Sequence, residues 1–497
     1  MPTPTNEQRA ALDVFALGES MAVGAYAGCG KTSTLVLMAR AAEAEGRRGR
    51  YVAFNRAIVE EGASRFPRNV AAQTAHAMAW RAVVRSRGSA FDRRLSADRV
   101  RGSLLARRLG VDPFVVKYGS QTKILQPGFI ASLAQRAIGR FCATADLEPS
   151  YRHVPYVDGI DAPDSSGRTY ENNNALALVV GELLPSMWRD LTDPEGTLPF
   201  RHAHYLKMFE LSRPKLAGSF VLYDECQDTT EVMRSIVEQQ AERGTQIAYV
   251  GDEFQAIYEW MGAVDALSAA DVAYRTNLTR SFRFGTAIAL AADAILREKL
   301  GAVDRLVGTP SIDSRLDVLS DPDVLLCRTN AVAMESVLDA QLLGRRPLLL
   351  GGGREIVAFA EAARQLMGGD RTTHFDLACF DTWDEVVSYV DSDPQGDELA
   401  LNVSLIEQFG VETIIAALSG MPGEKEADVV ISTAHKCKGL EWDRVKLARD
   451  FDYKEGAEDL TVPEWRLLYV ACTRARRVLD VSSSPPMADL LNVRSVA

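Results

Sequence analysis

The chain has 497 residues, 47% of them hydrophobic and 25% charged, with 36 glycines and 20 prolines. That is the range of ordinary globular domains, about three of them at ~150 residues each, and it excludes collagen, coiled-coil and disordered readings. Fifty-six Lys and Arg stand against 67 Asp and Glu for a net charge of −11, which argues against a surface that coats nucleic acid but leaves room for a local basic groove.

Seven cysteines, none spaced C-x-x-C, form no disulfide framework in a chain this long and point to a reducing, cytoplasmic compartment. The start, Met1 to Gln8, is polar and lacks the regions of a signal peptide. No apolar run approaches the ~18 residues of a membrane span.

From Asn6 onward, Ala10, Ala11, Val14 and Phe15 recur at helical spacing. An apolar strand, Met21 to Tyr26, then meets a Gly-rich turn and a helix from Lys31 to about Glu45. Arg50 to Asn55 reads as another buried strand. Residues 81–123 hold eleven Lys/Arg and three Asp, a net charge of +8 inside an acidic chain. A charge run is usually a solvated helix face, but this local reversal of sign favours a phosphate-facing surface. Residues 151–175, with Asp161-Ala-Pro-Asp-Ser-Ser-Gly and Asn172-Asn-Asn, read as an exposed loop. Phe220 to Tyr223 and Gln246 to Val250 are two further buried strands. Alternation returns at Val324 to Cys327, with a helix to Leu343, and at Ala427 to Ser432. Residues 391–426 are acidic and punctuated by Pro and Gly, the pattern of an insertion or linker. The βα alternation predicts an α/β fold of parallel sheets covered by helices, in two lobes.

The sharpest local signal is Ala25-Tyr-Ala-Gly28-Cys29-Gly30-Lys31-Thr32, directly after a strand and opening a helix. Small residues let backbone N–H groups wrap phosphates, and a helix N-terminus attracts negative charge. Lys31 is placed to reach β- and γ-phosphates and the Thr32 hydroxyl to hold Mg²⁺, although Ala25 stands where the P-loop pattern has its first glycine. The strand Phe220-Val-Leu-Tyr ends in Asp224-Glu225-Cys-Gln-Asp228, the paired carboxylates a magnesium nucleotide site requires. Asp224 then binds the metal and Glu225 orients and deprotonates the attacking water. A helix cap is the alternative use of such acidic residues. Four cysteines, Cys29, Cys226, Cys437 and Cys472, lie in the nucleotide motifs. Small-residue packing is the ordinary reading. Cys29, beside Lys31 and a helix N-terminus, is nevertheless expected to be reactive, because both influences favour the thiolate.

With these residues in hand, the chain resembles the superfamily 1 helicases of the UvrD/Rep type, whose motifs occur in family order from Gln8 to Arg474. Gln8 is similar to the Q motif, which reads adenine, and alanine at the first P-loop position is usual in that family. Asp224-Glu225-Cys-Gln227-Asp228 is similar to its D-E-x-Q-D box. Val250-Gly-Asp252-Glu-Phe-Gln255-Ala-Ile-Tyr258-Glu-Trp260 resembles motif III, in which Gln255 senses the γ-phosphate. Leu278-Thr-Arg-Ser-Phe282-Arg283 resembles motif IV, with Phe282 stacking on adenine and Arg283 touching phosphates. Ser432-Thr433-Ala-His435-Lys436-Cys-Lys438-Gly439-Leu-Glu441 is similar to motif V, with Gly439 and Glu441 at the nucleotide and the glutamate near the ribose. Leu468-Tyr469-Val-Ala-Cys-Thr473-Arg474-Ala-Arg476 matches the Y-V-A-x-T-R-A-R signature, and Arg474 is its second arginine finger.

The resemblance thus implies two RecA-like P-loop lobes that bind ATP with Mg²⁺. The P-loop residues Ala27, Gly28, Cys29, Gly30, Lys31, Thr32 and Ser33 cradle the nucleotide, and Thr32 and Asp224 hold the metal. Lys31, Asp224, Glu225, Gln255, Arg283 and Arg474 carry catalysis, with both arginines expected from the second lobe. Phe54, His76, Tyr258 and Trp260 are the expected base-facing aromatics. Thr74 and Thr433 are expected on phosphates, with Asn55 and His435 also in the strand track. Met261 stands where relatives commonly carry an arginine. Tyr51-Val-Ala-Phe54-Asn55-Arg56 and Gln73-Thr74-Ala-His76 look most like the F-box DNA helicase branch, although no F-box is expected because the first motif begins at once.

The expected division is 1–80 and 196–270 for the first lobe, with 81–195 a basic, mainly helical accessory insertion. The second lobe takes 271–350 and 428–497, with 351–427 a short insertion. The expected activity is ATP-driven movement 3′ to 5′ on single-stranded DNA with duplex unwinding, in replication, recombination or repair. Partners are then single-stranded and tailed duplex DNA and replication or recombination proteins, for a monomer associated with the nucleoid and with no membrane. The same motifs would serve an RNA or RNA–DNA helicase, or a translocase that strips proteins without separating strands, which the short second insertion favours. A nucleotide kinase would not need the second lobe's arginines.

Overall fold

The computed structural model describes the chain except residues 1–2, 54–58, 60–61, 87–88, 96–101, 119–120, 162, 165–166, 169–170, 259–261, 352, 379, 393–396, 455 and 496–497. Strands alternating with helices, most of them buried and poor in polar positions, form two six-stranded sheets in which every pairing is parallel.

The first sheet holds β1 (Met21–Ala25), β2 (Gly49–Val52), β3 (Val70–Ala72), β4 (Phe220–Tyr223), β5 (Gln246–Gly251) and β6 (Tyr274–Leu278), in the order β6-β1-β5-β4-β2-β3. Every residue of β4 and β5 is buried, because helices cover both faces and leave no solvated side for polar alternation. The helix Asn6–Ala16 starts on a capping box, Thr5 with Gln8. It buries Ala11 and Phe15, and Phe15 meets Phe220 of β4 edge-on at 5.5 Å.

The second sheet holds β7 (Arg315–Leu316), β8 (Val324–Cys327), β9 (Pro347–Leu349), β10 (Val429–Thr433), β11 (Trp442–Leu447) and β12 (Ala475–Asp480), in the order β7-β12-β11-β8-β10-β9. The helix Val462–Cys472 buries Trp465, Leu468 and Tyr469. Trp465 keeps its one polar atom satisfied, its Nε1 donating to Asp459 Oδ1 at 3.1 Å.

Both sheets belong to one compact unit, residues 1–75, 214–352 and 420–497. The other unit joins residues 76–213 to 353–419 and is mainly helical. Its longer helices are Pro127–Ala143, Glu171–Thr192, His202–Leu211, Arg354–Met367 and Asp397–Phe409, with a hairpin of Phe114–Tyr118 and Gln121–Leu125. Among the described residues, no helix is long and apolar enough to cross a membrane.

Three expectations shift. Strand β6 pairs along β1, so the first sheet extends past residue 270. Its Tyr-Arg-Thr-Asn-Leu sequence is mostly exposed at a sheet edge and carries no buried-strand signature. The asparagines 172–174 lie in the helix Glu171–Thr192 rather than in a loop. Asp161 caps that helix, its two carboxylate oxygens accepting from the backbone N–H groups of Asn172 (2.8 Å) and Asn173 (3.2 Å). Residues 391–426 are largely helical, since Asp397–Phe409 and Val411–Leu418 bury apolar residues on one side.

Candidate nucleotide site and strand track

The chemistry-bearing loops follow the carboxyl ends of β1, β4 and β5, the usual site of ligands in a parallel sheet. Gly28 and Gly30 take φ of +74° and +82°, in the left-handed region where only glycine is unstrained. A Cβ on Gly28 would lie 2.5 Å from Ser281 Oγ and 2.7 Å from Arg283 Cβ, so the loop is packed too closely for any larger residue. A Cβ on Gly30 would meet Gln8 Nε2 and the Phe282 ring, each at 3.5 Å, which brings Gln8, Gly30 and Phe282 to one place. Gly30 caps the helix Lys31–Ala44 without a side-chain hydrogen bond, so its N-terminus can receive an anion. Phe282 remains 46% exposed, an aromatic face open to stacking. Gln8 itself spends its carbonyl on the Thr5 N–H and its amide on Thr34 Oγ1 (both 3.1 Å). Ser33 Oγ accepts from Arg65 at 2.9 Å, Thr32 and Lys31 are half-buried, and Ala27 and Cys29 are fully so.

Lys31 Nζ lies 3.4 Å from Glu225 Oε1. Burial opposes its charge, yet Glu225, Asp252 and Asp224 outweigh burial and raise its pKa. Asp224 accepts from the Tyr51 hydroxyl at 2.8 Å and from the Glu225 N–H at 3.0 Å. Burial and the neighbouring Glu225 push the Asp224 carboxyl up. Glu225 is held low despite burial, because Lys31 and Lys438 favour its charge. The two carboxylates are therefore driven apart, one easily protonated and one firmly ionised. Glu225 sits at φ 51°, ψ 39°, a strained conformation for a non-glycine residue that turns its carboxylate towards Lys31.

The second sheet's connections contribute Arg474, Tyr469, Gly439 and Glu441. Arg474, at the end of the helix Val462–Cys472, is 1% exposed and donates to Gln255 Oε1 (3.3 Å), Thr473 Oγ1 (3.0 Å) and the Val470 carbonyl (2.8 Å). Burial, then Arg283, push its pKa down to about 10. Arg283 does not come from the second lobe as expected. It follows β6 of the first sheet by five residues, and its guanidinium reaches Glu441 Oε2 (2.6 Å) and the Thr473 carbonyl (3.0 Å). Gly439 takes φ +88° in the turn before Glu441. Gln255 Nε2 donates to Asp252 Oδ2 at 2.6 Å. Tyr469, wholly buried, donates to the same oxygen (3.2 Å) and accepts from the P-loop N–H of Ala27 (2.9 Å). The structure thus adds Tyr51, Asp252 and Tyr469 to the site. Each stands inside a motif the sequence displays, but the role of each rests on a contact with a residue more than 170 positions away, which spacing does not reveal.

Of the expected track, Tyr258, Thr433 and His435 come together: the Tyr258 hydroxyl donates to the His435 carbonyl at 2.7 Å, and Thr433 closes β10 two residues earlier. Burial, Arg328 and Lys438 push His435 down to about 4, so its imidazole is neutral at pH 7. Thr74 is half-buried at the end of the first stretch of its unit. His76 belongs to the other unit, where its ring meets Tyr205 edge-on at 6.1 Å. Phe54, Asn55, Trp260 and Met261 lie outside the described residues. The other unit also holds a cleft of about 1360 Å³ whose lining includes Arg107, Arg136, Arg201 and Arg371.

The expected reactivity of Cys29 meets a contrary environment. Cys29 is 2% exposed, and burial followed by Asp252 pushes its thiol well up, outweighing Lys31. Cys226, Cys437 and Cys472 are buried as well, with thiols raised chiefly by burial. These are packing thiols. Wild type and Cys29→Ser should therefore lose ATP hydrolysis equally slowly under an alkylating reagent; rapid inactivation of wild type alone would restore the reactive thiol.

The AAA domain family matches residues 8–261, half of the chain, and the UvrD-like helicase C-terminal domain matches residues 403–485. The chain is similar to F-box DNA helicase protein 1 of Schizosaccharomyces pombe, 27% identical over 509 residues that cover 94% of this chain and 56% of that protein. It is also similar to F-box DNA helicase 1 of Gallus gallus, 29% identical over 525 residues, 97% of this chain and 49% of that one. The chain spans about half the length of these curated relatives.

Proposed function

The chain belongs to the UvrD-like superfamily 1 helicases, and from that membership we propose that it is an ATP-hydrolysing DNA helicase. It moves 3′ to 5′ on single-stranded DNA and unwinds duplex, in replication, recombination or repair. The observation that carries this reading is Arg474. A buried arginine from the second sheet's side bonds to Gln255, which follows β5 of the first, beside a P-loop and paired carboxylates. A hydrolase that needed only phosphate binding would not require charge from a second sheet; a motor that couples hydrolysis to relative motion would.

In this reading Lys31 exchanges Glu225 for the β- and γ-phosphates of ATP. Glu225, released and still ionised, orients a water and takes its proton. Arg283 and Arg474 neutralise charge as it develops on the transferring phosphoryl group. Gln8 and Phe282 flank the adenine, and Gly439 and Glu441 lie towards the ribose. One hydroxyl, Thr32, and one carboxylate, Asp224, suit Mg²⁺, which takes few protein oxygens and keeps water and phosphate ligands. When bound, it supplies charge neutralisation at those phosphates. Residues 76–213 and 353–419 act as the accessory unit, and the two lobes are drawn from 1–75, 214–352 and 420–497. The arginines along the cleft of the mainly helical unit support a phosphate-facing role for the basic insertion.

Duplexes carrying a 3′ or a 5′ single-stranded tail test polarity directly: the 3′-tailed substrate should be unwound in an ATP-dependent manner and the 5′-tailed one should not. The reverse preference would overturn the polarity, and no unwinding of either would leave only a translocase. For the track, Trp260→Ala should cost ~1–3 kcal/mol of single-strand affinity, the range for one lost base stack. Unchanged affinity in a titration at fixed salt would return Trp260 to packing.

A further inference from the structure

Lys438 has no part in the mechanism above, yet it touches both halves of the machinery. Its Nζ lies 2.5 Å from Asp228 Oδ2 and donates to the main-chain carbonyl of Gln255. The same ammonium sits 5.3 Å from the centre of the Tyr258 ring, whose hydroxyl is fixed to the His435 carbonyl. The side chain is only 10% exposed, so little water screens it.

From Asp228 the contacts run on to the hydrolytic carboxylate. Gln227 Nε2 donates to Asp228 Oδ2 at 3.1 Å and to Glu225 Oε2 at 2.7 Å. A shift of the ammonium therefore reaches Glu225 through one carboxylate and one amide. On its other side, Gln255 offers Lys438 its carbonyl while its side chain holds Arg474 and Asp252. Lys438 follows β10 of the second sheet, whereas Asp228, Gln255 and Tyr258 all follow strands of the first. It is a cation from one sheet held by the other at the meeting point of strand track and nucleotide site. Hydrogen-bonded chains of this kind polarise one another in a low dielectric, so a displacement at one end is felt at the other.

We propose that Lys438 is the positioning residue that couples occupancy of the strand track at Tyr258 to the alignment of Glu225 and Gln255, and so sets how strongly single-stranded DNA accelerates ATP hydrolysis. This rests on the helicase reading above. Lys438 itself touches neither reacting atom.

The test uses the full chain and an oligo-dT strand. Steady-state ATP hydrolysis is measured with saturating strand and without it, for wild type, Lys438→Met, Tyr258→Leu and the pair combined. In Lys438→Met the stimulation ratio should fall by ~5–150-fold, the span of ordinary coupling between two sites, while KM for ATP moves far less. The combined variant should fall little further than Lys438→Met alone, because both substitutions cut the same connection. Lys438→Met leaves Asp228 buried without its cation, so Lys438→Met/Asp228→Asn, which removes both charges, is read if the single variant does not fold. Equal proportional loss with and without strand, or full additivity with Tyr258→Leu, would make Lys438 a structural residue and overturn the proposal. No stimulation of the wild type would overturn the helicase reading itself, and the inference with it.

Discussion

Lys31→Ala should lower ATP hydrolysis by at least ~10²–10³-fold, the loss typical of removing one preorganised charge-stabilising group, in a protein that remains folded. Lys31 is the cation that Glu225, Asp224 and Asp252 share, and each of these carboxylates is held lower by it. Its removal therefore costs twice: the phosphates lose their partner, and the carboxylates lose the nearby positive charge that opposes the effect of burial on them. Retained strand-stimulated turnover in a folded Lys31→Ala protein would show that the loop after β1 does not serve ATP. The side chain is partly exposed and contributes little to either core, so a melting curve close to wild type is the accompanying expectation.

Arg474→Ala should lower kcat by ~10³–10⁵-fold, the range for arginines that neutralise phosphoryl-transfer charge, with nucleotide affinity much less affected. Its burial gives this prediction a second face. Loss of the guanidinium leaves Gln255 Oε1 without its donor in the interior and takes one of two donors from the Val470 carbonyl, which keeps the Thr473 hydroxyl, so a lower melting temperature is also expected. Arg474→Lys separates the two effects. It keeps the charge and most of the volume but loses the planar fork that reaches Gln255 and Thr473 together. A lysine variant with restored stability and a persistently low kcat supports the catalytic role; a lysine variant with wild-type kcat would mean that charge alone suffices.

The parts of this structure that were legible in the sequence are those whose signal is local. Phe220–Tyr223, Gln246–Gly251 and Val324–Cys327 are short apolar runs because helices cover both faces, and such runs read as strands without further information. Strand β6 and the two-residue β7 are exposed at sheet edges, where the chain needs no apolar run to pair. The phosphate loop announced itself because its glycines answer a backbone demand at two adjacent turns. The bonds from Tyr51 to Asp224 and from Tyr469 to Asp252 and Ala27 join residues distant in sequence, and no spacing rule anticipates them. Cys29 shows the same limit. Its neighbours in sequence favour a thiolate, but burial and Asp252, which only the fold brings near, decide against it.

In the proposed motor one site, built from both sheets, hydrolyses ATP at a rate set by the strand on the track. The most direct measurement is the steady-state ATPase rate of the purified chain with saturating single-stranded DNA against the rate without nucleic acid, in Mg²⁺ at fixed salt. A large increase with the strand, absent in Lys31→Ala, is the expected result. An ATPase rate indifferent to single-stranded DNA would contradict it.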